Sequence, residues 1–326
     1  MIDRLALSLL ALALLMQPAQ AQPGDPDLPE DDEEPASFSF DWEDSTDDAD
    51  REEFERLMDL GRREVFASAD AINSRSGADA AMRAANHFAR AAKLRPKDPK
   101  PHYYAAFVLE RWDDITYSFP KRIKEVIYHL TEFIRLAPYD SRLPDALFSR
   151  SIAYTKLGGD DNIRLALKDY DERLRLLNQL SLEAQERYQL ALILSNSAEL
   201  YMYVGELDRA IGLYYDSLEY AAGQSAILYK YGLAVALDRD GQRLRAAAIM
   251  KDATQHDPHG PLGQLTRGDV FFIPEGDIHY YRGLAFEASG SKRKALTYYR
   301  RFLTVLPDSQ YAERARENIK ALEATK

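Results

Sequence analysis

Cysteine is absent from this 326-residue chain. Disulfides, thiolate metal sites and a lipid carried on a cysteine behind a leader are therefore excluded. Long apolar runs are scarce as well. The one that opens the chain, Leu5 to Met16, falls short of the roughly 20 residues a helix needs to cross a bilayer. No nucleophile elbow, phosphate-binding glycine loop or zinc-protease helix appears anywhere, so the common motifs of hydrolysis and nucleotide chemistry are missing. Histidine is sparse at six residues. His256 and His259 flank Asp257 and Pro258 at a ligand-like spacing, but a third ligand is lacking and both read as residues of a solvated loop. The acid pairs Asp113-Asp114 and Asp160-Asp161 read as helix caps at turns. We expect no catalytic residue, no metal site and no cofactor.

Concentrated positive charge is the next absence. The net charge is −11, and residues 22–53 carry fifteen Asp and Glu against the single Arg51. Removing that −14 leaves +3 for the rest, since Asp3 and Arg4 cancel. A body so nearly neutral lacks the lysine and arginine density that phosphate backbones require, and the acidic segment would repel them. Nucleic acid is not an expected partner. Lys292-Arg293-Lys294 and Arg300-Arg301 read as solvated helix faces.

The termini divide the chain into three parts. Arg4, the Leu5–Met16 run and the small-x-small site Ala19-Gln20-Ala21 predict a cleaved export signal over 1–21, with a periplasmic or secreted product that keeps no transmembrane anchor. Residues 22–53, broken by Pro23, Pro26, Pro29 and Pro35, predict a disordered acidic linker. Within it Phe38, Phe40 and Trp42 alternate with Ser39 and Asp41, and an extended chain would place the three aromatics on one face. They read either as a docking segment or as a linker packed locally on the first helix. Residues 54–326 form the folded part.

That part repeats one pattern. Ala84/Phe88, Val126/Leu130, Ala166/Tyr170, Ala210/Tyr214, Ala246/Met250 and Ala295/Tyr299 share a spacing of four, and in five of the six a small or apolar residue follows three further on: Ala91, Phe133, Ser217, Ala253 and Phe302. Offsets of three and four lie on one helix face, so each set predicts the buried stripe of a helix. Pro96, Pro138, Pro258 and Pro307 stop four of these helices. Upstream, Gly283/Phe286/Gly290 and Ala198/Tyr201/Gly205 mark a preceding helix, with Gly158, Gly205 and Gly290 in the tight turns, where positive φ is free of Cβ strain.

Helix, tight turn, helix and stop resembles the tetratricopeptide repeat (TPR). The resemblance covers about residues 52–325 and implies an all-α fold: a right-handed superhelical solenoid of about six helix pairs, closed by a solvent-facing capping helix over Ser309–Ala324. The last repeat, from Tyr298 to Ala312, is similar to repeats of envelope TPR proteins. In the family the first helix of each pair lines a concave wall. The matching positions here are Tyr103/Phe107, Phe148/Ile152, Ser195/Glu199, Tyr229/Leu233 and Tyr280/Leu284. The family's Lys, Arg and Asn clamp for a peptide carboxylate is missing from them.

Such a tyrosine-bearing wall implies a partner segment with aromatic or aliphatic anchors. The same residues would equally suit a wall covered by the chain itself, and two insertions are available for that, Trp112–Pro120 and Leu262–Asp277. The expected function is a non-catalytic periplasmic adaptor that binds a protein or peptide within an envelope complex. The competing readings are an accessory or hydrolytic envelope enzyme and a self-associating structural protein. Oligomeric state and partner identity are not encoded in these patterns.

Overall fold

A computed structural model describes residues 48–70, 74–111, 119–177, 184–260, 262–266 and 272–324. The expected leader, most of the acidic linker, the segment Phe38, Phe40 and Trp42, and most of the Trp112–Pro120 insertion lie outside the described residues. Every regular element among the described residues is a helix. They run α1 (Asp48–Asp70), α2 (Arg75–Leu94), α3 (Pro99–Arg111), α4 (Phe119–Leu136), α5 (Leu143–Leu157), α6 (Asp160–Leu177), α7 (Ala184–Tyr203), α8 (Leu207–Tyr220), α9 (Gln224–Arg239), α10 (Arg243–His256), α11 (Ile278–Ala288), α12 (Lys292–Val305) and α13 (Ala312–Ala324), with one further turn of helix at Gly263–Thr266. Consecutive helices pack as six pairs, from α1 with α2 to α11 with α12, and each pair leans on the next. This is the expected all-α, TPR-type solenoid.

The recurring stripe is what joins the pairs. All its members are buried, Ala84, Ala166, Ala210, Ala246 and Ala295 to 0 % exposure. Each small residue lets a neighbouring helix approach, and each aromatic fills the space beside it. Burying a Phe88- or Leu130-sized side chain contributes about 1.5–3 kcal/mol. Glycines on the partner helices complete the fit: a Cβ at Gly61 would sit 2.5 Å from the Phe88 ring, and at Gly283 2.7 Å from the Tyr299 ring. In α6 the third stripe position is Arg173, buried beside Phe148 and bonded to the Pro144 carbonyl and Asp145, the one set in which a charge stands in the stripe.

The stops behave as expected. α2, α4, α10 and α12 end two residues before Pro96, Pro138, Pro258 and Pro307, because proline disfavours helical backbone in the residue that precedes it. Gly158, Gly205 and Gly290 adopt φ of 71°, 86° and 75°. The folded part, however, begins earlier than Phe54. α1 starts at Asp48, with Asp48 and Asp50 in its first turn, where carboxylates complement the positive end of the helix dipole, and Asp48 pairs with Arg51.

One apolar cluster runs from Ile163 to Leu322 and takes in the later helices, whereas α1 to α5 are held by two smaller clusters. Helix α13 turns Glu313, Arg316, Glu317, Lys320 and Glu323 to solvent, as expected of the cap, and its inner face is anchored. Ala312, Ala315, Asn318 and Leu322 are buried, and the helix is tied to α9 and α7. Arg314 Nη2 and Asn318 Nδ2 donate to the fully buried Asp238 at 2.9 and 2.7 Å. Just before α13, Gln310 Nε2 donates to the Tyr203 carbonyl at 2.7 Å, and the Tyr311 hydroxyl donates to the Met202 carbonyl. The end of the chain thus reaches back to α7.

Candidate functional site: an aromatic wall, half of it covered

The groove positions divide into two groups. On α3, Tyr103 and Phe107 are half-buried, their rings stacked at 6.5 Å with an interplanar angle of 20°. Tyr103 also meets Phe133 at 5.0 Å, and the Arg142 guanidinium lies 4.7 Å from its ring centroid. Burial pushes the Tyr103 hydroxyl up to about 12, so it is a neutral hydrogen-bonding group at any physiological pH. On α5, Phe148 and Ile152 are likewise half-buried. Phe148 stands edge-on to Tyr170 at 6.1 Å, with the Arg173 guanidinium 4.9 Å from its ring. These four side chains combine apolar area with partial exposure, as an anchor site requires. The two arginines pack on the Tyr103 and Phe148 rings, and each is met by a carboxylate, Asp140 beside Arg142 and Asp145 beside Arg173.

In the later repeats the expected open wall is absent. Tyr229 is 7 % exposed, Leu233 and Tyr280 are 0 %, and Leu284 is 1 %. They are core residues. Tyr280 packs edge-on against Tyr299 and Phe302 and donates its hydroxyl proton to Asp238. Leu262 and Leu265 of the 262–277 insertion join the same core, and the Leu262 amide donates to the Tyr231 hydroxyl at 3.0 Å. Charge is buried there as well. Arg239, with 1 % of its side chain exposed, pairs with Asp277 at 2.8 Å and lies 3.9 Å from the Tyr311 ring. Asp277, which precedes α11, makes no side-chain capping bond, since its carboxylate is engaged by Arg239. Leu262 and Leu265 of the insertion and Tyr311 of the returning chain end belong to the same buried cluster as all four positions.

Between the two groups lies the pair Ser195/Glu199 of α7. Ser195 is buried, and its hydroxyl donates to the Leu192 carbonyl. Glu199 Oε2 accepts the Phe272 amide at 3.1 Å. Burial pushes the Glu199 carboxyl up to about 8, against the partial stabilisation from that amide. A carboxyl so placed is largely neutral at pH 7 and can donate as well as accept a hydrogen bond. The signal for it was present in the sequence, as the one charged residue among the groove positions.

A second polar cluster was not legible in the sequence. His102 of α3 and His129 of α4 are buried with their Nδ1 atoms 3.0 Å apart. Burial holds both rings below the usual imidazole range, His129 down to about 4, so the pair is neutral. They line a cleft of about 610 Å³ together with Tyr128, Glu125 and Glu132. Among the described residues no group of three or more His, Asp or Glu side chains is arranged to hold a metal ion. His256 is exposed, but it is the last residue of α10 rather than a loop residue, with Nδ1 on the Asp252 carbonyl one turn back. No described helix is long and apolar enough to cross a membrane.

No protein-family sequence model matches the chain, and no characterised protein matches it by sequence. The chain is similar to several solved structures. MamA is 18 % identical with a TM-score of 0.45, over 69 % of this chain and 100 % of that one. YrrB, described as a TPR protein with an unusual peptide-binding site, is 15 % identical with a TM-score of 0.39, over 72 % and 99 %. A TPR repeats protein from Bacteroides fragilis is 17 % identical with a TM-score of 0.32, over 80 % and 98 %.

Proposed function

We propose that the chain is a non-catalytic scaffold that binds a protein or peptide segment, and that its open contact area lies on α3 and α5. The observation that carries this reading is the contrast within one set of equivalent positions: Tyr103, Phe107, Phe148 and Ile152 stay partly exposed where Tyr229, Leu233, Tyr280 and Leu284 are sealed in the core. Large aromatic side chains left at a surface, with arginines stacked upon them, are the residue types that dominate protein interfaces. Lining chemistry supports an extended or helical partner with aromatic or aliphatic anchors.

Export to the periplasm and a place in an envelope complex belong to the same proposal. They rest on Arg4, the Leu5–Met16 run and the Ala19-Gln20-Ala21 site, and on the similarity of the last repeat to envelope TPR proteins. The test is co-purification from native envelope followed by mass spectrometry, comparing the unaltered chain with a Tyr103→Ser/Phe148→Ser double variant whose circular dichroism is unchanged. A partner recovered with the first and lost from the second is the expected result. A partner retained by the variant removes α3 and α5 as the contact. Turnover of an envelope substrate that survives purification and disappears on a single carboxylate substitution favours an enzyme instead.

A further inference from the structure

Resting on the scaffold reading but concerning a different part of the wall, we propose that the Glu199–Tyr203 end of α7 is a second receptor for an extended aromatic segment, and that Phe272–Asp277 of the same chain occupies it as an internal ligand. A partner segment of the same chemistry displaces that occupant.

The seating of residues 272–277 is the first observation. Residues 272–274 have no helical structure, and the Phe272 amide donates to Glu199 Oε2 at 3.1 Å across a separation of 73 residues. That is a backbone donor captured by a groove side chain, the sequence-tolerant half of peptide recognition. The Phe272 ring stands edge-on to Tyr203, 5.5 Å away at 76°, which supplies the side-chain-specific half. Pro274 lines the same cavity as Tyr203. The extended run ends in the 275–277 turn, where Gly276 sits at φ 92° and a Cβ would come within 2.8 Å of Val305.

Incomplete filling is the second observation. Beside the segment lies a cavity of about 450 Å³, lined by Tyr203, Val204, Pro274 and Leu306 together with Asp160 and Asp308. Phe272, Ile273 and Pro274 are only half-buried, unlike Tyr280 and Leu284 just beyond them. The groove carboxyl adds a third. Glu199 is held neutral by its surroundings, so it accepts an amide N–H from any segment without demanding a cationic partner. The chemistry that fits is therefore an extended aromatic, β-branched, proline sequence like Phe-Ile-Pro. Asp160 and Asp308 share that cavity with Arg164, so the continuation need not carry one sign of charge.

The test uses the full chain and a fluorescent, N-acetylated peptide of residues 272–277, Phe-Ile-Pro-Glu-Gly-Asp, read by anisotropy. A Phe272→Ala/Ile273→Ala variant should bind this peptide at least tenfold more tightly than the unaltered chain, and adding Glu199→Ala should remove that gain. Equal or absent binding in both chains, or binding indifferent to Glu199→Ala, overturns the proposal. Should the strap variant fail to fold, hydrogen exchange on the unaltered chain decides: the Phe272 amide should exchange at least tenfold faster than buried amides of α7 and α9, and equal protection overturns the displaceable occupant. Since the probe is a synthetic peptide and Tyr103 and Phe148 are untouched, failure here leaves the α3 and α5 contact standing, and failure there leaves this site standing.

Discussion

Replacing Asp238 with alanine should undo the closure of the chain end while leaving the earlier repeats intact. Asp238 is 0 % exposed, and its carboxylate accepts from the Tyr280 hydroxyl, from Arg314 Nη2 at 2.9 Å and from Asn318 Nδ2 at 2.7 Å. Deleting it leaves Arg314, with 16 % of its side chain exposed, to Glu317 alone, and takes the acceptor from the Tyr280 hydroxyl and the Asn318 amide. Breaking a buried ion pair by removing one partner costs about 3–5 kcal/mol, so the loss should fall in that range. Asp238→Asn keeps an acceptor and gives up the charge, and should cost about 1–3 kcal/mol, the penalty for buried polar groups left imperfectly paired. Because repeat arrays are stabilised largely between neighbours, the damage should be local. At about 1.4 kcal/mol per decade, amide exchange in 312–324 should quicken by more than a hundredfold, while α1 to α4 stay unchanged. Guanidinium denaturation and residue-resolved hydrogen exchange measure both quantities. A destabilisation under about 1 kcal/mol, or acceleration spread evenly over all helices, would refute the assignment of Asp238 as the clasp for α13.

Two further outcomes follow from the packing and the buried charges. Gly232→Ala places a Cβ 2.4 Å from the Tyr214 ring, itself 0 % exposed, and overpacking should cost about 1–3 kcal/mol; a thermal midpoint equal to the unaltered chain's would show that α8 and α9 are less closely apposed. The pH profile of stability should carry two opposed contributions. His129 is depressed from 6.5 to about 4 in the fold, so the unfolded chain binds the extra proton and stability is lost as pH falls from about 6.5 towards 4, by up to about 3 kcal/mol. Glu199 is raised from 4.5 to about 8, so its contribution is complete below about 4.5 and is lost as pH rises towards 8. Glu199→Gln should therefore flatten the decline between pH 6.5 and 8, and His129→Asn should flatten the acid side. Denaturation midpoints taken across pH 4–8.5 check both, and a variant curve parallel to the unaltered one would contradict the corresponding assignment.

The lines of force in this fold are unevenly legible. Ala84/Phe88 and its five equivalents sit at a fixed spacing because a helix face repeats every three to four residues, and that local rule identifies the buried stripe without knowledge of what covers it. Pro96, Pro138, Pro258 and Pro307 were equally readable, since proline acts on the residue beside it. The His102–His129 contact was not, because two solitary histidines 27 residues apart meet only once α3 and α4 are paired. Arg173 occupies a stripe position in α6 that the pattern reserves for apolar groups, and only its burial beside Phe148 shows what it does.

The sequence alone determined that the chain is a run of helix pairs, where the helices before Pro96, Pro138, Pro258 and Pro307 end, which face of six helices is buried, and that two apolar insertions interrupt the run. Tertiary structure decided which equivalent positions remain accessible. Tyr103 and Tyr280 occupy the same place in their repeats, yet one is half-buried and the other wholly so. The difference comes from contacts such as Tyr311 to Met202, 109 residues apart, and Arg239 to Asp277. Periodicity records how strongly a side chain avoids water, but the identity of whatever excludes the water depends on which distant segments the closed chain brings to it.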